Sequence, residues 1–211
     1  MNTSRFIRAL KSYQGDNVFN PYTDVCPVYD RYNANVIRSK NLSNILNSLQ
    51  NNDVDAIWIG RDLGHRGGRR TGLALTDEVR FERAEQFWNA NIKRATKGEA
   101  VAERTALNIW NFLERTGENI FTWNVFPFHP HETNTPLSNR SHSSKERDFG
   151  LGILENVVAL LQPRKIIAIG NDAHINAVKV FDTLPIYKVR HPSYGGEKDF
   201  RKQMSDIYKL P

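Results

Sequence analysis

Four short apolar runs, each followed by a loop that carries glycine, asparagine or histidine, constrain the fold of this chain more than any other feature. We predict strands over these runs, at residues 55–60, 120–125, 165–170 and 186–189. Helical patterns separate or follow them, at about 36–49, 99–115, 146–161, 171–181 and 197–208. Strands that alternate with helices favour a parallel sheet with helices on both faces. The sequence therefore predicts an α/β fold of three layers, α/β/α, with a short central parallel sheet.

The length and composition are those expected of one globular domain. The 211 residues are 39% hydrophobic and 25% charged, and they can bury a sizeable core. No apolar run approaches the roughly 20 residues needed to cross a bilayer, and the first 15 residues do not resemble a secretion signal. We expect a single domain over residues 1–211, with residues 1–50 forming an N-terminal loop and helix that pack on it, in the cytoplasm.

The chain shows little evidence of a cofactor or a metal site. Its one cysteine, Cys26, permits neither an internal disulfide nor a four-cysteine iron–sulfur cluster. His129 and His131 either ligate a metal or only shape their loop, and a His-Pro-His spacing is poorly suited to holding one ion. The glycine patterns that bind nucleotide phosphates are absent. We therefore expect that no metal and no cofactor is needed.

The segment from Gly60 to Thr76, GRDLGHRGGRRTGLALT, combines glycines and arginines with Asp62. Glycine lets the backbone approach a ligand closely, and arginine attracts phosphate. The net charge of +6 and the pI of about 9.5 likewise favour a polyanion such as nucleic acid. A loop that only held anions would not need a carboxylate. Asp62 is therefore either a salt-bridge partner of a neighbouring arginine or a chemically active group.

Three polar side chains follow three different predicted strands, and the carboxyl ends of parallel strands meet at the edge where ligands bind. They are Asp62, Asn124 and His191. These residue types suit hydrolysis of an N-glycosidic bond, in which the sugar gains positive charge and the departing base gains negative charge. A carboxylate can stabilise the sugar, an amide can read a base edge, and histidine can donate to the base. Without that context, Asn124 is a turn former and His191 caps a strand.

Four stretches resemble the uracil-DNA glycosylase superfamily, and they occur in the order that the family uses. The best-known branch has GQDPYH, then GLAFS, and later HPS, while other branches place Asn at the end of the next strand and Asn-Arg further on. This chain has GRDLGH at 60–65 with GLALT at 72–76, WNVFP at 123–127, NR at 139–140 and HPSY at 191–194.

The resemblance implies a role for each matching residue. Asp62 would position the attacking water or stabilise the sugar cation, and His191 would donate to the base carbonyl. The base would be bound by Arg61, Gly64, Leu75 and Asn124. DNA around the flipped-out nucleotide would be contacted by His65, Arg66, Arg69, Arg70, Arg140, Ser193 and Tyr194, the last as a wedge.

Two departures from the family pattern concern the base. Gly64 stands where the uracil-strict branch has a Tyr that excludes thymine, and Leu75 stands where Phe stacks on uracil. We predict a monofunctional DNA glycosylase that acts on uracil first, since no lysine lies in the motifs, although Lys198 follows His191 closely. The alternatives are a glycosylase for hypoxanthine or a phage-modified cytosine, and a non-catalytic nucleic-acid-binding protein. DNA is the expected partner, with no membrane and no obligate protein partner.

Overall fold

The computed structural model describes residues 1–210. In chain order, the elements are α1 (Thr3–Lys11), β1 (Val18–Phe19), α2 (Ala34–Gln50), β2 (Ala56–Asp62), α3 (Gly68–Thr71), α4 (Phe81–Phe87), α5 (Arg104–Leu113), β3 (Ile120–Phe126), β4 (His129–Pro130), α6 (Ser144–Leu161), β5 (Lys165–Ile169), α7 (Asn171–Val180), β6 (Ile186–Val189) and α8 (Glu197–Tyr208). A 3₁₀ turn, Glu78–Arg80, leads into α4.

The central sheet has four strands in the order β3-β2-β5-β6, and every neighbouring pair is parallel. The register places Gly60 of β2 beside Asn124 of β3, and Ile169 of β5 beside Val189 of β6. All four carboxyl ends therefore reach the same edge, and the predicted fold is confirmed.

Helices cover both faces of this sheet. Trp58 and Trp123 lie on opposite faces, because Trp58 is in register with Thr122, the residue before Trp123. Phe6 of α1 packs on Trp123, with ring centroids 5.6 Å apart, and Tyr208 of α8 packs on Trp58 at 5.7 Å. Trp58, Trp123 and their neighbours are almost fully buried, as expected for a parallel sheet that helices cover on both faces.

The N-terminal 50 residues pack on this sheet through two helices. The helix α1 begins after an Asn2 cap and buries Phe6, Ile7 and Leu10 on one face. The helix α2 contributes Leu42, Ile45, Leu46 and Leu49 to the same continuous hydrophobic core. The pairing of β1 with β4 also ties this region to the loop that follows β3.

The helix predicted from residue 99 begins only at Arg104. The backbone N–H of Glu103 donates to Asp77 Oδ2 at 2.6 Å, and that of Val101 donates to Glu78 Oε2 at 3.0 Å. These contacts hold residues 101–103 extended against the 3₁₀ turn. Within residues 1–210, no helix is both long and apolar enough to span a membrane.

Candidate active site at the carboxyl edge of the sheet

Asp62 is the last residue of β2, and its carboxylate is held from two sides. Arg61 Nε donates to Asp62 Oδ2 at 2.7 Å, and His142 Nδ1 contacts Asp62 Oδ1. The Asp62 side chain is 6% exposed, whereas that of Arg61 is 46% exposed. The carboxylate is therefore oriented by its neighbours at the edge of the sheet and is nearly shielded from solvent.

His142 is a member of this site that the sequence reasoning missed. It lies in the loop after β4, and its ring packs near that of Phe126, with centroids 6.1 Å apart. Its Nε2 is 3.7 Å from Oδ1 of Asp172, which is on the first turn of α7 and is 42% exposed. A signal was available, because His142 stands two residues after the Asn-Arg pair on a loop that begins at the same edge.

Two buried groups fix the backbone just after Asp62. The N–H of Leu63 donates to the carbonyl of Phe128 at 3.1 Å, and the Leu63 carbonyl lies 2.7 Å from His129 Nδ1. Burial lowers the pKa of His129 to about 3, so the ring is neutral and its Nδ1–H donates to Leu63. His129 thus shapes the loop. Within residues 1–210, no three His, Cys, Asp or Glu side chains are grouped so that they could hold a metal ion.

Asn124 carries a buried acceptor without a partner. Its side chain is 1% exposed, and among the described residues nothing donates to its Oδ1. A β-carbon added at Gly60 would lie 2.5 Å from that oxygen and 3.1 Å from Leu75 Cδ2, so glycine is needed for Asn124 and Leu75 to meet there. An unsatisfied buried acceptor costs about 1–3 kcal/mol, which a bound donor would recover.

The Leu75 side chain lies beside Gly60 and Asn124, and its backbone conformation is strained. Its φ is +55°, in the left-handed region that a residue with a branched side chain rarely occupies, and it is 9% exposed. Strain of this kind costs on the order of 1–3 kcal/mol and is concentrated at functional sites. The role of Leu75 in covering a base stays a prediction.

His191 follows β6 and is held as a neutral donor. The N–H of Ser193 donates to His191 Nδ1 at 3.2 Å, and the Ser193 hydroxyl lies 2.7 Å from the same nitrogen. Because Nδ1 accepts, the proton of the neutral ring is on Nε2. Burial, reinforced by the charges of Arg61 and Arg190, lowers the pKa of His191 to about 4.

The structure brings these groups to one edge of the sheet. Only β5 separates β2 from β6, so the ends of those two strands are about 10 Å apart. Arg61 connects them, since it donates to Asp62 and its charge also acts on His191. His191 packs over the end of β5, where a β-carbon at Gly170 would be 3.4 Å from His191 Cβ.

A carboxyl group lies beside Gly64, and the sequence did not predict it. The Glu103 carboxyl occupies the space where β-carbons at Gly64 and Gly67 would stand, so a side chain at either position would displace it. Burial and the nearby Asp77 charge raise the pKa of Glu103 to about 7. Gly64 is thus next to a buried carboxyl group whose pKa is raised towards neutrality.

Three of the predicted DNA-contacting residues have accessible positions. Arg66 is exposed, and Tyr194 is 97% exposed with a φ of +51°, beside Gly195. The backbone N–H of His65 donates to Asn139 Oδ1 at 3.0 Å, while its half-buried ring has an unpartnered Nδ1 among the described residues.

Arg69 and Arg70 do not have the role that the sequence suggested. They are 3% and 8% exposed, which leaves no surface for contact with DNA phosphates. Arg70 Nε donates to Glu78 Oε2 at 2.7 Å, and its guanidinium lies 4.0 Å from the ring centre of Tyr29. Arg69 lies 3.9 Å from the ring centre of Phe19 and contacts the Tyr29 hydroxyl. Both stabilise the loop from inside.

Arg140 and Ser193 also use their donors within the protein. Arg140 forms a two-pronged pair with Glu146, at 2.6 and 2.8 Å, and donates to the carbonyls of His131 and Asn17 at 3.0 and 3.2 Å. It therefore fastens the long loop to α6. The Ser193 hydroxyl is bonded to His191, so it orients the histidine instead of reaching towards DNA.

The sequence model of the uracil DNA glycosylase superfamily matches residues 47–209, a range that holds the whole central sheet together with Asp62, Asn124 and His191. The chain belongs to this superfamily. The crystal structure of wild-type Pedobacter heparinus SMUG2 has the same fold, with a TM-score of 0.65 and 15% sequence identity over 98% of this chain and 95% of that one. No curated protein sequence matches the chain significantly. The superfamily predicted from the motifs is thus confirmed, and the roles of single residues stay predictions.

Proposed function

We propose that this superfamily member hydrolyses the N-glycosidic bond of a base flipped out of DNA, with uracil as the first substrate to test. The observation that carries the proposal is the pairing, at one sheet edge, of a carboxylate held on both oxygens with a histidine whose Nε2–H is a neutral donor. Those are the two groups that the reaction requires: a negative group for the sugar and a hydrogen-bond donor for the base.

In the proposed reaction, Asp62 and His191 stabilise the charges that develop on the sugar and on the base. The bond between the sugar C1′ and the base nitrogen breaks, and its electron pair leaves with the base. His191 Nε2–H donates to the base oxygen on which negative charge accumulates. Asp62 stabilises the positive sugar, and water then attacks C1′ and gives its proton to Asp62. The departing base later takes a proton from solvent.

Recognition of the base is assigned to the Asn124 side chain. Its unpartnered Oδ1 is an acceptor, so it fits a base that presents an N–H at that edge, as uracil does. The neighbouring Leu75 would cover one face of the base. Arg61 would contribute through its backbone N–H, since its guanidinium is already bonded to Asp62.

A second candidate substrate follows from the Glu103 carboxyl beside Gly64. Where the uracil-strict branch has a tyrosine ring, this carboxyl would offer a further hydrogen-bonding group to a base such as hypoxanthine or a modified cytosine. Lys198 is exposed on the first turn of α8. We propose that the enzyme is monofunctional and uses no lysine nucleophile. We further propose that it needs no metal or cofactor and works in the cytoplasm.

The test is a base-release assay on oligonucleotides that differ only in one base: uracil, hypoxanthine or a modified cytosine. Wild type should release uracil, while Asp62→Asn and His191→Ala prepared in the same way should release far less. Release of another base with uracil left intact would select the alternative substrate. If wild type releases no base at all but binds DNA, the enzymatic proposal is wrong.

A further inference from the structure

A groove between residues 31–37 and residues 93–97 has a lining that the proposed reaction does not use. Its volume is about 750 Å³, within the roughly 300–1,000 Å³ that sites for small molecules span. It is lined by four cations with two apolar or aromatic side chains: Arg31, Lys93, Arg94, Lys97, Tyr32 and Ile37. None of its lining residues is acidic.

Backbone hydrogen bonds fix the walls of this groove in place. The N–H of Arg31 donates to the Ala95 carbonyl at 2.9 Å, and that of Lys97 donates to the Tyr29 carbonyl at 2.7 Å. Lys93 is tied to Asn41 of α2 in both directions, at 2.9 and 2.7 Å. The groove therefore exists before any ligand enters, so binding need not order its walls.

Three of the four cations are unpaired. Within the described residues Arg31, Lys93 and Lys97 are exposed and make no ion pair, whereas Arg94 donates to the Gly98 carbonyl and lies 3.6 Å from Glu78. Tyr32 is 90% exposed. Clustered like charges repel and oppose folding slightly, and an exposed ring contributes nothing to the core. The cluster is therefore better explained by a ligand than by stability.

The combination of cations with an exposed aromatic ring and an apolar side chain favours a nucleic acid strand with unpaired bases. Phosphates would lie on the cations, and a base would stack on Tyr32, as in sites that bind single strands without sequence preference. A duplex keeps its base faces stacked inside, so it would leave Tyr32 and Ile37 without a partner. The chemistry of the groove thus fits single-stranded DNA better than duplex DNA.

Buried contacts connect the groove with the loop that follows Asp62. Tyr29, whose carbonyl holds Lys97, lies under the guanidinium of Arg70. Glu78 pairs with both Arg70 of that loop and Arg94 of the groove. The groove and the loop that follows Asp62 are therefore joined by the same buried contacts.

We propose that this groove binds an unpaired stretch of the DNA strand, with Tyr32 stacking on a base and Arg31, Lys93 and Lys97 contacting phosphates. The proposal rests on the proposed function only in taking DNA as the ligand. It adds a second binding surface, distinct from the base-binding site.

The experiment measures binding of labelled oligothymidine of about 20 nucleotides and of an undamaged duplex of equal length, over a range of salt concentrations. Removing two phosphate contacts in Lys93→Ala/Lys97→Ala should weaken single-strand binding at least about tenfold. The slope of log affinity against log salt should fall by about 1.4. Tyr32→Ala should weaken single-strand binding about 5- to 100-fold and leave duplex binding nearly unchanged.

The matched control is Lys179→Ala/Lys209→Ala, which removes the same charge from exposed lysines at the ends of α7 and α8. This pair should keep the wild-type slope. A groove pair that behaves like the control, or a Tyr32 variant that binds single strands like wild type, would overturn the proposal. Because this experiment measures binding and not base release, loss of binding in the groove variants supports the groove even if no base release is found.

Discussion

His142 holds one carboxylate oxygen of Asp62, although the two residues are 80 positions apart in the chain. Arg61 holds the other oxygen, so the carboxylate has little freedom to rotate. In the proposed reaction Asp62 must meet both a water and a sugar carbon, and such restraint would raise the rate because small errors of placement are costly. We therefore propose that His142 is a positioning residue for Asp62.

We expect His142→Ala to lower the single-turnover rate of base release about 10- to 100-fold while DNA affinity is unchanged, since only the aim of Asp62 is lost. His142→Asn keeps a donor near Asp62 and should recover part of the rate. His131→Ala, in the same loop but with its ring bonded to the Glu132 carbonyl and not to Asp62, is the control and should react like wild type. Equal rates for His142→Ala and His131→Ala would remove His142 from the site.

The low pKa of His191 predicts an unusual pH profile. Its folded-state pKa of about 4 lies below the ordinary value of 6.5, so the ring stays neutral from pH 5 to 8. Base release should therefore not decline with rising pH in that range, as it would if the imidazolium were the donor. Nitrogen NMR of the ring, combined with single-turnover rates, checks this. A midpoint near 6.5 shared by both measurements would contradict a neutral donor.

The buried carboxyl group of Glu103 makes the folded protein less stable as the pH rises. Its pKa is raised from 4.5 to about 7, so the folded state prefers the protonated form, and stability is lost as pH rises through this window. Glu103→Gln should raise the free energy of unfolding relative to wild type at pH 8, by no more than about 3 kcal/mol, and hardly at pH 4. Denaturant unfolding at both pH values measures this. Glu99→Gln, at an exposed position, is the control, and its effect on the free energy of unfolding should be the same at both pH values. If Glu103→Gln behaved like this control, the claim that burial raises the pKa of Glu103 would be refuted.

Substitutions at Arg70 and Arg66 should affect different properties: the first should lower stability and the second should weaken DNA binding. Arg70→Ala leaves the buried Glu78 carboxylate without the closer of its two cationic partners, and we expect a loss of about 3–5 kcal/mol in unfolding free energy. Arg66→Ala, at an exposed position, should leave stability within about 0.5 kcal/mol of wild type and weaken DNA binding. Thermal unfolding measures the stability of each variant, and DNA binding over a range of salt concentrations measures its affinity. A stable Arg70 variant with weakened DNA binding would restore the role expected from the sequence.

The sequence predicts the sheet and its edge well, because both follow from local patterns. Apolar runs of strand length and intervening helices fix a parallel sheet, and the residues just after each run must then reach the same edge. Asp62, Asn124 and His191 could be placed together on that basis. The motifs identified the superfamily for a similar reason, since each lies in a loop at a strand end.

Other features of the site and its surroundings depend on contacts between segments that are distant in the chain. Local sequence patterns do not show these contacts. Arg69 and Arg70 read as phosphate ligands because nothing nearby reveals that Phe19, Tyr29 and Glu78 enclose them. Glu103 is near Gly64 only through the extended segment before α5. His142 reaches Asp62 only because the loop after β4 folds back over the sheet edge.

The most direct test of the account is the single-turnover rate of uracil release by wild type, Asp62→Asn, His191→Ala and the double variant. If both groups serve one bond-breaking step, each single change should lower the rate by at least about 100-fold. The double variant should lose less than the product of the two, because residues that act as a unit are not additive. Rates for both single variants within a few-fold of wild type would contradict the assignment of the site.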